Sequence, residues 1–477
     1  MVASAYRRGR PQALFVYQYK ASERHEARPA CGKQNTEGPR GHMIRSQLGV
    51  APRTGISPRA RMRAVLFLLA AAAVSLLAAA ETSLVGTVAS FSTPETGRRL
   101  LAWDADDPRI EDQLGQVYKD TDPAESLRHL RRATHLSPAS RLYWSDLESA
   151  CESSGDAKCA DQARERLLHL CPMAPAYHWL VADSCLRTNR VDTALEQFRR
   201  LLQLDPTYAA PVWSSLQTLQ QPETVFQKVL AGNPNAELKV GYVDFLSDQG
   251  DNDAAYRIWR RVVADSPSFP FSTTTPYLDR LIASSRIEEA VKVWQDLERL
   301  GIVEAANQKD DLIFNGDFEQ APLKAGFDWR TGPATYLAVD FSAPGAYHGA
   351  HCLRVDFAVS RNDEFEPLYQ IVPVLSRHDY TLEAVVRSQD ITSDTGPCLR
   401  VSDAQPGGFP DAVSETTVGT TAWHPVRLSF STGPKTQAVR VSLWRPRSRA
   451  FPTEISGTAW LDAVSLREKG TTEGQRH

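Results

Sequence analysis

The sequence predicts a multidomain chain, an all-α helical solenoid followed by an all-β jelly-roll sandwich. Three observations carry this prediction. Pro138, Pro172 and Pro206 stand 34 residues apart in each step, and each closes a similar phrase: ATHLSP, LLHLCP, LLQLDP. A fixed period of this size marks a stacked repeat. After Gly301 the helical spacing gives way to short alternating stretches separated by Gly, Pro, Asp and Ser, which read as strands and turns. Ahead of both lies an uncharged apolar run, AVLFLLAAAAVSLLAAA, over residues 64–80.

The bounds agree with two or three domains. The chain has 477 residues, too many for one compact core, with 42% apolar and 23% charged residues. A net charge of −3 gives no basic footprint for nucleic acid. The seven cysteines, Cys31, Cys151, Cys159, Cys171, Cys185, Cys352 and Cys398, include no Cys-x-x-Cys pair, so neither a zinc site nor a dithiol redox site is supported. They read as small buried apolar residues. In an exported chain, Cys352 with Cys398, or pairs among the four in the repeats, are disulfide candidates.

Arg61-Met62-Arg63, the apolar run and the terminal Ala78-Ala79-Ala80 make residues 62–80 a signal peptide or membrane anchor. Residues 1–61 read as a disordered or mis-annotated extension, rich in Arg, Gly, Pro and Ser. Everything after Glu81 is then expected to be exported, periplasmic or anchored to the inner membrane and facing the periplasm. Only residues 64–80 would contact membrane.

The repeats are expected over residues 97–303, about six of them. Small residues such as Ala194 let paired helices approach, and proline stops the second helix of each pair. The best copy has Trp179, Leu180, Ala182, Leu186, Ala194, Phe198, Leu201, Leu204 and Pro206; an earlier one has Leu114, Gly115, Tyr118, Ala133 and Pro138. This pattern resembles the tetratricopeptide repeat, with Asp183 standing where that family prefers Gly. From Pro206 to Pro234 the interval is only 28 residues, so one pair should be shortened and the superhelix kinked. A half-copy ending at Pro108 is expected to cap the array. The resemblance implies a protein or peptide partner in a groove. The first helices of the pairs carry few Lys and Arg, which argues against a basic clamp for acidic peptide ends.

A linker over 304–311, a sandwich over 312–468 and a disordered tail over 469–477 complete the chain. Stretches such as CLRVDFAV, YTLEAVVRS, HPVRLSFST and AVRVSLWR give about eight strands, the size of an antiparallel jelly roll. LIFNGDFEQ at Leu312–Gln320 and AWLDAVSL at Ala459–Leu466 look like the two ends of a carbohydrate-binding module with the galactose-binding-like jelly roll. GFDWR at Gly326–Arg330 resembles the C-terminal domain of uncharacterised bacterial envelope proteins of this same architecture. The resemblance implies that the two ends lie side by side, often sharing a structural Ca2+. Its ligands here would be Glu319 and Asp462, with Asp317 a weaker candidate; calcium takes oxygen ligands from distant segments. Of the sandwich tryptophans, Trp329 and Trp444 are the candidates for a glycan surface. Trp423 and Trp460 read as core.

No nucleophile elbow, zinc-helix motif, phosphate loop or dinucleotide fingerprint occurs in the sequence, and repeats plus one small sandwich leave no catalytic scaffold. Glu364 and Glu366 read as solvated loop charges. The expected function is therefore not enzymatic: an envelope scaffold whose repeats bind a protein and whose sandwich binds a glycan or second protein. The alternatives are an accessory subunit of polysaccharide assembly or export, and a sandwich that only caps the solenoid.

Overall fold

In a computed structural model the described residues are 62, 65–76, 91–265, 267–304, 310–332, 337–359, 362–405, 409–451 and 453–469. Residues 1–61, most of 77–90 and 470–477, with the extension and tail expected there, lie outside them. The chain divides into two units, Met1–Leu84 and Val85–His477. In the first, residues 65–76 are helical. Among the described residues no helix is long and apolar enough to cross a membrane.

The second unit opens with a short helix, α1 (Pro94–Leu101). Six helical pairs follow. They are α2 (Pro108–Tyr118) with α3 (Pro123–Leu136), α4 (Arg141–Ser154) with α5 (Ala157–Leu170), and α6 (Pro175–Arg187) with α7 (Val191–Leu204). Then come α8 (Ala209–Leu216) with α9 (Pro222–Val225), α10 (Ala236–Asp248) with α11 (Asn252–Ala264), and α12 (Phe271–Ala283) with α13 (Ile287–Arg299). The repeat prolines fall two residues beyond α3, α5 and α7, where a missing N–H and a fixed φ end a helix. Gly115 shows why the helices of a pair can meet. A Cβ there would lie 2.4 Å from Leu130 on the facing helix. The shortened pair is α8–α9: α9 has four residues and runs into a π-helical turn, Phe226–Leu230.

Ten strands form two antiparallel sheets. One has the order β1-β4-β9-β6-β7 and the other β2-β3-β10-β5-β8. Their ranges are β1 Arg330–Thr331, β2 Ala338–Ala343, β3 Cys352–Val359, β4 Phe365–Pro373, β5 Asp379–Ile391, β6 Cys398–Asp403, β7 Ala412–Val413, β8 Gly419–Ser431, β9 Ala438–Arg445 and β10 Ile455–Glu468. The inner faces share a core that includes Trp329, Leu353, Val355, Leu382, Leu399, Val441 and Leu461, the alternation that a two-sheet packing requires. The protein is thus a tetratricopeptide-type solenoid joined to a jelly-roll-like sandwich.

LIFNGDFEQ is not a strand. Asn315 and Phe318 have φ of 51° and 55°, left-handed values that break an extended run. The segment still runs beside β10: Leu312 N–H donates to Leu466 O at 3.0 Å, and Val464 N–H to Gly316 O at 2.9 Å. The two ends of the sandwich therefore meet.

The sandwich is packed onto the last repeat. Phe314, Phe327, Ile371 and Ala438 belong to the same buried cluster as α6–α13, and Trp294 of α13 meets Phe314 and Phe327 edge-on at 5.2 and 5.7 Å. The GFDWR phrase makes this joint. Gly326, at φ 60°, lies against Trp294 and Leu278, and its N–H donates to Asp279 Oδ1 at 2.9 Å. Arg330 donates to the same oxygen at 2.6 Å. Asp328, fully buried, accepts from Leu323 N–H at 2.5 Å and Trp329 N–H at 2.6 Å. Burial pushes its carboxyl up to about 6.

Cys151 and Cys159 form a disulfide between α4 and α5, with Cα atoms 5.7 Å apart. Cys352 and Cys398 do not pair, because β3 and β6 belong to different sheets. Their thiols donate to Ala343 O at 3.5 Å and Trp444 O at 3.3 Å.

Candidate functional site

The residues expected to hold calcium are brought to one end of the sandwich. Asp462 sits at a bulge of β10, before Ala463 at φ 49°. Its Oδ2 accepts from Tyr347 N–H at 2.8 Å and His348 N–H at 3.0 Å, and its Oδ1 from Ala463 N–H at 2.7 Å. Glu319 Oε1 accepts from Ala350 N–H at 2.7 Å and His351 N–H at 2.9 Å. Both carboxylates thus anchor the 347–351 loop. The loop N–H groups hold Glu319 below the usual carboxylate range. Asp462 is raised, first by burial and last by the charge of Asp317. Asp317 and the loop residues Tyr347 and His348 line a cavity of about 280 Å³. Among the described residues no group of three or more His, Cys, Asp or Glu is arranged to hold a metal.

The glycan candidates fare differently. Trp329 is fully buried and its indole N–H donates to Asn315 O at 2.9 Å. It is core, and no ligand can stack on it. The charged residues around it in GFDWR suggested surface, but Asp328 is itself buried. Trp444 is half-buried on the outer face of the β1-β4-β9-β6-β7 sheet. Arg400 covers its ring at 4.9 Å, and its N–H donates to Glu364 at 2.9 Å. Glu366 lies in β4, not in a loop, and pairs with Arg440 at 2.8 Å.

The opposite sheet carries the aromatic surface that sequence reasoning missed. Ala459 and Leu461 point into the core, so Trp460 between them faces outward, half-buried. Arg354 and Arg387 lie over its ring at 5.9 and 4.5 Å. Trp423 of β8 is also half-buried and meets Tyr347, 58% exposed, at 6.1 Å. Strand alternation alone was signal enough to turn Trp460 out. It is also this face, and not its opposite, that stands clear of the repeats. Tyr369, Ile371, Ala404 and Ala438, all of or adjoining the other sheet, are the sandwich contacts to the repeat core.

Two further clefts open on the second unit. One, about 770 Å³, lies on the α3–α5 repeats and is lined by Arg131, His135, Trp144 and Lys158. The other, about 1070 Å³, lies between α13 and the sandwich and is lined by Val291, Lys292, Leu312, Leu375 and Gln437. Between the repeats runs a buried charged tie. Arg164 of α5 donates to Glu148 of α4 at 2.9 Å and to Ser184 of α6 at 2.5 Å; Ser184 donates to Glu148 at 2.7 Å and to Glu152 at 2.8 Å. Burial raises the Glu148 carboxyl. Burial acts the same way on Glu152, but hydrogen bonding and charge from Arg187 outweigh it and leave that group lowered. Every charge in the tie has a partner, so it reads as packing, not chemistry.

No family model matches the chain, and no curated protein matches it. Among solved structures, the chain is similar to PilF of Pseudomonas aeruginosa, at 15% identity over 42% of this chain and 93% of that one, with a TM-score of 0.23. It is similar to MamA of Desulfovibrio magneticus RS-1, at 11% identity over 36% and 81%, with a TM-score of 0.23. It is also similar to the CBM22-1 xylan-binding domain of Paenibacillus barcinonensis Xyn10C, at 14% identity over 34% and 97%, with a TM-score of 0.22. At these identities and scores the likeness assigns no function.

Proposed function

We propose that this protein is a non-catalytic envelope scaffold, its repeats holding a protein partner and its sandwich holding a glycan. One observation carries the glycan half. Tyr347, Trp423 and Trp460 crowd the outer face of the β2-β3-β10-β5-β8 sheet, the face turned away from the repeats. Aromatic rings joined to polar side chains are what a sugar surface needs: apolar faces to cover C–H groups and donors for hydroxyls. The cleft at Trp144 is the counterpart on the repeats. Export is supported by the apolar run and by the Cys151–Cys159 disulfide, since such bonds persist in oxidising compartments.

The test is titration of the full chain against a panel of soluble polysaccharides. Binding is expected, and Trp460→Ala should weaken it by about tenfold or more, a loss of about 1.4 kcal/mol. Trp444→Ala should leave it unchanged. Absence of binding across the panel would favour the second reading, in which the sandwich only caps the solenoid. That reading rests on the core shared by Trp294, Phe314 and Phe327.

A calcium ion beside Asp317 and Asp462 is a separate proposal. It is supported by two neighbouring acids across a small cavity. Full-length protein should then melt higher in calcium than in chelator, by mass action on the folded state, and Asp462→Ala should remove the difference. Equal melting temperatures would leave the acids as anchors of the 347–351 loop.

A further inference from the structure

The outer face of the β2-β3-β10-β5-β8 sheet holds one arginine without a counter-charge. Strand register sets Asp340, Arg354, Trp460 and Arg387 in a single row. Arg354 is spent: its guanidinium meets Asp356 at 3.0 and 2.9 Å. Asp356 in turn takes the Thr458 hydroxyl at 2.7 Å. Arg427, on the same face, pairs with Glu383 at 2.6 Å. Asp340 accepts from the Ser342 N–H at 2.9 Å. On the opposite sheet Arg400 has Asp411 and Glu364, and Arg440 has Glu366. Arg387 has no carboxylate partner among the described residues; what it touches is the Trp460 ring, 4.5 Å away.

Its position matters as much as its charge. In β5, Arg387 lies between Trp460 of β10 and the irregular pairing of β8 around Trp423. A guanidinium held against an indole offers its flat face to the ring and keeps its N–H edge free. That edge matches a carboxylate in two parallel hydrogen bonds. Apolar rings thus flank a single open anion fork.

We infer that this face selects a saccharide bearing a carboxylate, a uronic-acid type of unit. The carboxylate sits on the edge of Arg387 and the C–H faces of the sugar lie against Trp423 and Trp460. This rests on the glycan reading above and adds the charge of the ligand to it. A neutral sugar would leave the guanidinium without an anion and gain only the stacking.

The experiment is calorimetric titration of the full chain with oligogalacturonate and with its methyl ester, the same chain without its charges. Variants Arg387→Gln and Arg400→Gln are measured alongside, with thermal melts to confirm that both fold. The acid should bind at least about tenfold more tightly than the ester, or about 1.4 kcal/mol. Arg387→Gln should lower the acid to the level of the ester, and Arg400→Gln should not. Raised salt should weaken the acid alone. Equal binding of acid and ester overturns this inference and leaves the glycan reading standing. Failure of both probes to bind counts against both. Poly-glutamate competing as strongly as the oligosaccharide would make the site an anion site for acidic peptides and overturn the saccharide assignment.

Discussion

Gly326→Val should cost about 2–5 kcal/mol and separate the unfolding of the sandwich from that of the repeats. Two independent penalties meet at this residue. Its φ is 60°, where an L side chain costs about 1–2 kcal/mol. A Cβ would also stand 2.5 Å from Trp294 and 2.7 Å from Leu278. Neither ring nor leucine has room to yield, since both belong to the shared core, and overpacking of this kind costs about 1–3 kcal/mol. Displacing the backbone would break the Gly326 N–H bond to Asp279 as well. In a urea titration followed by tryptophan fluorescence and by circular dichroism, the parent should show one transition by both probes. The variant should show two. A single transition at the parent midpoint would mean that the joint contributes nothing to cooperativity.

Arg445→Leu should destabilise the sandwich by about 3–5 kcal/mol, the range for removing one partner of a buried charged network. Arg445 has no exposed surface. It donates to three backbone carbonyls, Asp363 at 2.8 Å, Thr453 at 3.0 Å and Thr395 at 3.2 Å, and to Asn362 and Ser393, each at 3.2 Å. One guanidinium therefore ties the ends of β4, β5, β6 and β10 at one pole of the sandwich. Burial presses its pKa below the usual arginine range. Leucine would fill the volume and strand the acceptors, each at a cost of about 1–3 kcal/mol. Arg445→Lys keeps the charge but lacks the fork, so its loss should be smaller yet measurable. Thermal melts of the three proteins check this order. A leucine variant as stable as the parent would show that the loops hold themselves.

The features readable in the sequence are those with a local cause. Proline stops a helix wherever it stands, so Pro138, Pro172 and Pro206 announced their repeats without knowledge of neighbours. Gly115 and Ala194 read as close-packing positions because nothing larger fits between paired helices; Ala194 is indeed fully buried. The meeting of the sandwich ends followed from their motifs. What was not legible depends on partners far along the chain. Arg164 and Arg445 look in sequence like ordinary surface charges, and only the fold supplies Ser184 or Thr453. Trp329 was misjudged because Asp328 and Arg330 beside it were taken for surface, when both serve a buried joint. Trp460 was misjudged for the opposite reason. A large aromatic was assigned to the core on its size, although Ala459 and Leu461 had already claimed the inward positions of the strand.

The shared core at Trp294, Phe314 and Phe327 has a consequence for assembly. A repeat stack has two open ends, and a head-to-tail filament needs both of them: the apolar last face of one copy must receive the first face of the next. In this chain the last face is already occupied by its own sandwich. Copies can then join side by side or through ligands, but the stack cannot polymerise end to end. A protein carrying two binding surfaces on one chain stays a discrete particle, with a fixed number of sites, at any concentration.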